Sequence, residues 1–163
     1  MVTAMWLLGL TTGWASLYAN SKALITAVTF LHLAGIMLGG GAAVTFDRLT
    51  LRLSRASAAA RTAHLAQLEA VHTMVLVGLG MMFVSGALMF AADVDTFAGS
   101  RLFWLKMLVV ALVVGNGALI VRARTWLGVS GEERWGRLKA VSVVSLVLWL
   151  AAVLLGTLLA TTA

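Results

Sequence analysis

The chain has 163 residues, of which 61% are hydrophobic and 11% charged, with a net charge of +6. A soluble domain carries about 25% charged residues, so this composition belongs to a membrane protein, and the mean hydropathy of +1.01 agrees. Cysteine is absent, which excludes disulfides, thiolate metal sites, CxxCH haem attachment and iron–sulfur clusters. The arginines cluster beside apolar runs, so they report membrane orientation and give no support to nucleic-acid binding.

Met1–Ser21 carries Trp6, Trp14 and Tyr18. Aromatic residues suit the membrane interface, and no basic n-region marks a signal peptide. A short interfacial or half-buried helix is expected there. Four runs then reach the roughly 20 residues that cross a hydrocarbon core: Leu24–Phe46, Leu68–Ala92, Leu102–Val121 and Ala140–Ala160. Continuous apolarity of this length means helix. The expected fold is therefore an all-α integral membrane four-helix bundle, a single domain with no internal repeat.

The connection after the first run, Asp47–Gln67, holds Arg48, Arg52, Arg55 and Arg61, and its Ala- and Arg-rich sequence should continue as helix past the lipid. The third, Arg122–Lys139, holds Arg122, Arg124, Arg134, Arg137 and Lys139. The second, Asp93–Arg101, has only Arg101 beside Asp93 and Asp95. Nine basic residues against one place the first and third connections in the cytoplasm and both termini outside. In the third, Ser130 followed by Glu133 resembles a capping box and predicts a helix start near Ser130.

The first run is interrupted by a single ionisable residue, His32, from which Gly35, Gly39 and Ala43 continue one small-residue stripe. Small residues admit another helix backbone or a flat cofactor. An intramembrane histidine points to function: it is either a metal or haem-iron ligand, or a neutral ring bonded to a nearby Ser or Thr. Arg48, beside Asp47, can form a local ion pair or meet lipid phosphate.

In the second run, His72 follows Glu69 by three residues. Di-iron bundles use Glu-x-x-His twice, with two further glutamates, and this chain has only Glu132 and Glu133 besides. His72 is then a headgroup-level residue bonded to Glu69, or a second ligand. Helical rise puts it roughly 12 Å from His32 in depth, too far to share one iron. Met81, Met82 and Ser85 come closer to the depth of His32. Met74, Gly78, Met81, Ser85 and Met89 share a stripe, and the methionines serve either as core filler or as a Cu(I) or axial haem donor path. His64 reads as a solvated residue of the basic connection.

In the third run, Lys106 either snorkels towards Asp93 or Asp95 or stands at the outer mouth, about a turn above His32, to pair with a propionate or an anionic substrate. Asn116 is mid-membrane and must find a partner or line a cavity, and Trp104 suits an interface anchor.

Taken together, His32, Gly39-Gly40, Arg48, Ser85-Gly86, Lys106 and Asn116 resemble the patterns of CopD-like copper-resistance proteins and HemJ-type protoporphyrinogen oxidases, over roughly Phe30–Arg122. The chain departs from the HemJ-type pattern in carrying Gly115-Asn116 where those proteins have Tyr-His. The resemblance implies a bacterial inner-membrane protein with haem b, or alternatively copper, in the outer half of the bundle. His32 would be the ligand, with His72, Met82, Lys106, Asn116 and Arg48 as further cofactor-binding candidates. A quinone or porphyrin-like molecule and a homo-oligomer are the expected partners besides lipid. The rival expectations are copper passage along the methionines, and a structural subunit in which buried polar groups only hold helices together.

Overall fold

Backbone amides in lipid must be paired within the protein, and helices do this throughout the computed structural model. The structure describes residues 12–53, 56–127 and 132–162, with the backbone alone for 123–127 and 132–134. Helix α1 spans residues 12–20. It is followed by α2 (Lys22–Gly35), a π-helical turn (Ile36–Gly40), α3 (Gly41–Arg52), α4 (Ala58–Ala66), α5 (Leu68–Ala92), α6 (Val94–Gly99), α7 (Arg101–Leu127) and α8 (Glu132–Thr162). No strand occurs among the described residues. Four segments are long and apolar enough to cross a membrane: Lys22–Arg52, Ala58–Ala92, Arg101–Arg122 and Trp135–Thr162. The chain is a multi-pass, all-α membrane bundle. Each segment contains the run expected from hydropathy, lengthened at one or both ends in three of the four cases and by one residue at each end in the other.

The connections are more structured than composition suggests. α3 continues to Arg52, as expected past the lipid, but the helix does not run through to α5. It restarts at Ala58, where the Ser57 hydroxyl accepts a hydrogen bond from the Ala60 N–H at 3.4 Å. The second connection forms α6, capped by Asp93, whose Oδ1 accepts from the Thr96 N–H at 3.2 Å. α1 matches the expected aromatic helix in part: Trp14 donates from Nε1 to the Leu88 carbonyl at 2.9 Å, which ties it to the end of α5. Trp6 and Ser130, and hence the proposed capping box, lie outside the described residues.

α2 lies along α5, α3 leans on α8, and α7 runs beside α8. The α2–α5 contact is made through backbone. A Cβ on Gly35 would stand 2.8 Å from the Gly78 carbonyl oxygen, and one on Gly39 3.2 Å from the Gly78 Cα. The small-residue stripe is therefore filled by α5 itself, which is one of the two uses small residues have in a membrane helix.

The π turn follows at once, with the Gly41 N–H reaching back to the Ile36 carbonyl. A π turn holds more residues than an α turn, so the inward face is delayed by about one residue. Gly39 faces α5, whereas Gly40 meets the Trp149 ring of α8. Below it Ala43, Phe46, Asp47 and Thr50 are all buried. Ala43, Val113 and Trp149 form the central core. A second cluster, Phe46, Leu68, Ile120, Trp135 and Leu138, closes the arginine-rich end. Outward faces carry side chains such as Met37 and Phe83, both 78% exposed, as a lipid-facing surface requires.

Candidate functional site

Ten residues into α2, the His32 ring turns to α5 and places Nδ1 2.9 Å from the Ser85 hydroxyl. Ser85 is fully buried, and its Oγ lies 2.7 Å from the Met81 carbonyl and 3.2 Å from that of Met82. A serine has one proton to give. With that proton committed to the backbone, Ser85 accepts from His32, which assigns the proton of the imidazole to Nδ1. Nε2 then carries the lone pair, and it makes no hydrogen bond among the described residues. A backbone-anchored partner on one ring nitrogen, leaving the other free, is how ligating histidines are oriented.

Lys106 stands opposite. Its Nζ would be 3.5 Å from a Cβ on Gly156, so a glycine of α8 makes room for the ammonium. The charge lies close enough to His32 for the two to interact electrostatically. It forms no ion pair among the described residues, and the expected excursion to Asp93 or Asp95 does not occur; both aspartates are exposed. A Cβ on Gly86 would approach the His32 Cε1 at 3.8 Å. Four helices thus bring one imidazole, one ammonium, a serine and two glycines to a single level in the half of the bundle away from the arginine-rich loops.

The other candidates are dispersed. His72 is half-exposed, and it forms no hydrogen bond among the described residues. It precedes Ser85 by 13 residues on one helix, about 20 Å at the helical rise. That is farther from His32 than the depth estimate from sequence, and the two rings do not meet. Met82 packs its side chain at Gly35, one turn from His32. Met74 is 49% exposed, so the methionines do not form a continuous inward path. Asn116 is buried and donates from Nδ2 to the Val141 carbonyl at 3.2 Å, joining α7 to α8 well away from His32. Arg48 is exposed and makes no ion pair with Asp47.

His64 requires a correction. The sequence reading left it in solvent, but it is 4% exposed, stacked on Phe46 with ring centroids 4.1 Å apart and 2.8 Å from the Thr50 hydroxyl. The cause is α4, which folds back as a separate helix and caps the second core cluster. Periodicity within α4 alone could not show this.

Two features were missed. One is Gly156, which makes room for Lys106. The other is Asp47, which is buried beside Ser142 and Ser145 of α8. No three of His, Asp and Glu come together among the described residues. No family model, curated protein or solved structure matches this chain.

Proposed function

We propose that this chain is a membrane haem b protein with an electron-transfer or redox role, its iron bound by His32. The observation that carries the reading is the meeting of a ligand-ready imidazole with an ammonium that no described side chain neutralises. The donor set fits. Nε2 is the free nitrogen of an imidazole held from the other side by Ser85, and Lys106 offers a positive charge suited to a propionate. With His72 about 20 Å away along α5 and His64 on α4 at the arginine-rich end, stacked on Phe46, no second histidine reaches the level of His32. Met81 and Met82 are the soft donors left near that level.

Bound haem would supply one-electron chemistry, with its potential set by the axial ligands and burial. Ser85 would hold the ring and its tautomer, Lys106 would fix the anionic edge of the group or of a quinone-like partner, and the α2–α5 backbone contact would keep the ligand from shifting. The resemblance to CopD-like and HemJ-type patterns supports the same residues, His32 and Lys106.

The test is the visible spectrum and metal content of the protein purified from membranes. A Soret band with close to one haem per chain is expected. Copper without haem would move the site to the copper alternative, and protein with neither would overturn the cofactor reading.

The positive-inside asymmetry further supports an inner-membrane protein of a bacterium with both termini in the periplasm. A reporter active only in the cytoplasm should be silent when fused at Ala163. Activity there would reverse the orientation.

A further inference from the structure

Asp47 is 1% exposed, and neither carboxylate oxygen has a hydrogen-bond partner among the described residues. Facing it from α8 are Ser142, wholly buried, and Ser145, 5% exposed. Three residues apart, they share one face of that helix. Both hydroxyls approach the carboxylate as hydrogen-bond donors would, yet neither contact closes to good hydrogen-bond geometry. The Ser142 hydroxyl likewise closes no hydrogen bond among the described residues. This is unusual within the bundle: Thr50, Ser85 and Thr157 all give their protons to the carbonyl one turn back, the ordinary resort of a helical hydroxyl. Three buried oxygens therefore converge with their bonding capacity unspent.

Among the described residues no cation compensates the acid. Arg48 and Arg52 on α3 are exposed, as is Arg122 on α7, and Lys139 on α8 is half-buried; none pairs with Asp47. From α4, Arg61 is committed to the Leu53 carbonyl and the Trp135 ring, and His64 to Thr50. An unpaired charge at such a position costs several kcal/mol, and water could fill hydrogen bonds but could not cancel the charge. One carboxylate with two hydroxyls balances one positive charge. A divalent ion would demand more anionic ligands.

We propose that Asp47, Ser142 and Ser145 form a binding site for a monovalent cation, a proton or Na+, between α3 and α8. Asp47 carries the charge, and the serine oxygens complete the shell. The site is separate from His32, fifteen residues earlier on the same span. It lies five residues from the end of α3 at Arg52, about 8 Å at the helical rise, so an ion has a short way in from the water at the arginine-rich end. The inference does not depend on the haem reading.

The experiment uses the full chain in nanodiscs, prepared free of Na+ at neutral pH. Infrared spectra read the carboxylic-acid C=O stretch, and radiolabelled Na+ reads ion uptake. The expected wild-type result is an acid band that Asp47→Asn removes, or saturable uptake of one Na+ per chain that Asp47→Asn abolishes. The band alone identifies the proton as the occupant; loss of the band on adding Na+ identifies both ions as competitors. Ser142→Ala, which leaves the charge in place, should weaken Na+ affinity about tenfold or shift the acid band. An ionised Asp47 with no Na+ uptake overturns the proposal, as does an acid band or uptake that survives in Asp47→Asn. The wild-type and Ser142→Ala measurements decide the matter even if Asp47→Asn does not fold.

Discussion

Replacing His32 by Ala is expected to remove haem completely from a protein that still folds and inserts. The imidazole is the one histidine at its level, and its ring lies beside Gly86 with the Ser85 hydroxyl on Nδ1. Deleting it leaves the Ser85 hydroxyl still bonded to the Met81 carbonyl, so no buried group is orphaned and the fold should persist. Ser85→Ala tests the orienting role: haem affinity should fall by about 10–100-fold, the range for losing a partner of a ligand. His72→Ala should keep its haem. The outcome that sinks the assignment is haem retained in His32→Ala and lost in His72→Ala, which would move the site to the arginine-rich end. Loss from both variants would require two haems, because one iron cannot bridge rings that lie about 20 Å apart along α5.

The largest effect on stability is expected at Gly78. A Cβ there would run into the backbone nitrogen of Gly39, with the Gly39 Cα at 2.6 Å and the Gly35 carbonyl oxygen at 2.7 Å. Backbone cannot swing aside as a side chain can, so α2 and α5 must part. Gly78→Leu should destabilise the protein by at least about 3 kcal/mol, the upper end of ordinary overpacking. It should also break the contact between His32 and Ser85 two turns on. Gly80→Leu is the control: it lies on the same helix with nothing within 4 Å of its added Cβ. Relief of the glycine penalty should make that change neutral or stabilising by up to about 1 kcal/mol. Unfolding midpoints in detergent, read with oligomer size, would check both. Equal midpoints for the two variants would mean that the close approach at Gly78 is not made.

Much of this protein is legible in its sequence because lipid imposes the rule. Runs such as Leu68–Ala92 can only be helices in a bilayer, and α5 begins and ends at those two residues. His32 stood out for the same reason, as the lone ionisable group of an apolar run. The use of Gly35 and Gly39 as a packing surface within the chain was also open to sequence reasoning, since small residues matter in membranes through close approach.

Only the tertiary structure decided which neighbours meet. α5 and α8 are apolar on nearly every side, so no periodicity marks an inward face, and lipid is as apolar as the core. Hydropathy therefore could not show that Gly156 makes room for Lys106, or that Asn116 reaches the Val141 carbonyl. It could not foresee the return of α4, which buries His64 against Phe46. The π turn at Ile36–Gly40 is the clearest case. A uniform period of 3.6 carries the stripe down from His32 and already brings Asp47, fifteen residues on, to within about 60° of it, but it names no neighbour for the acid. The structure supplies that neighbour in Ser142 and Ser145 of α8, and the wide turn lets Gly39 meet α5 and Gly40 meet α8 in succession.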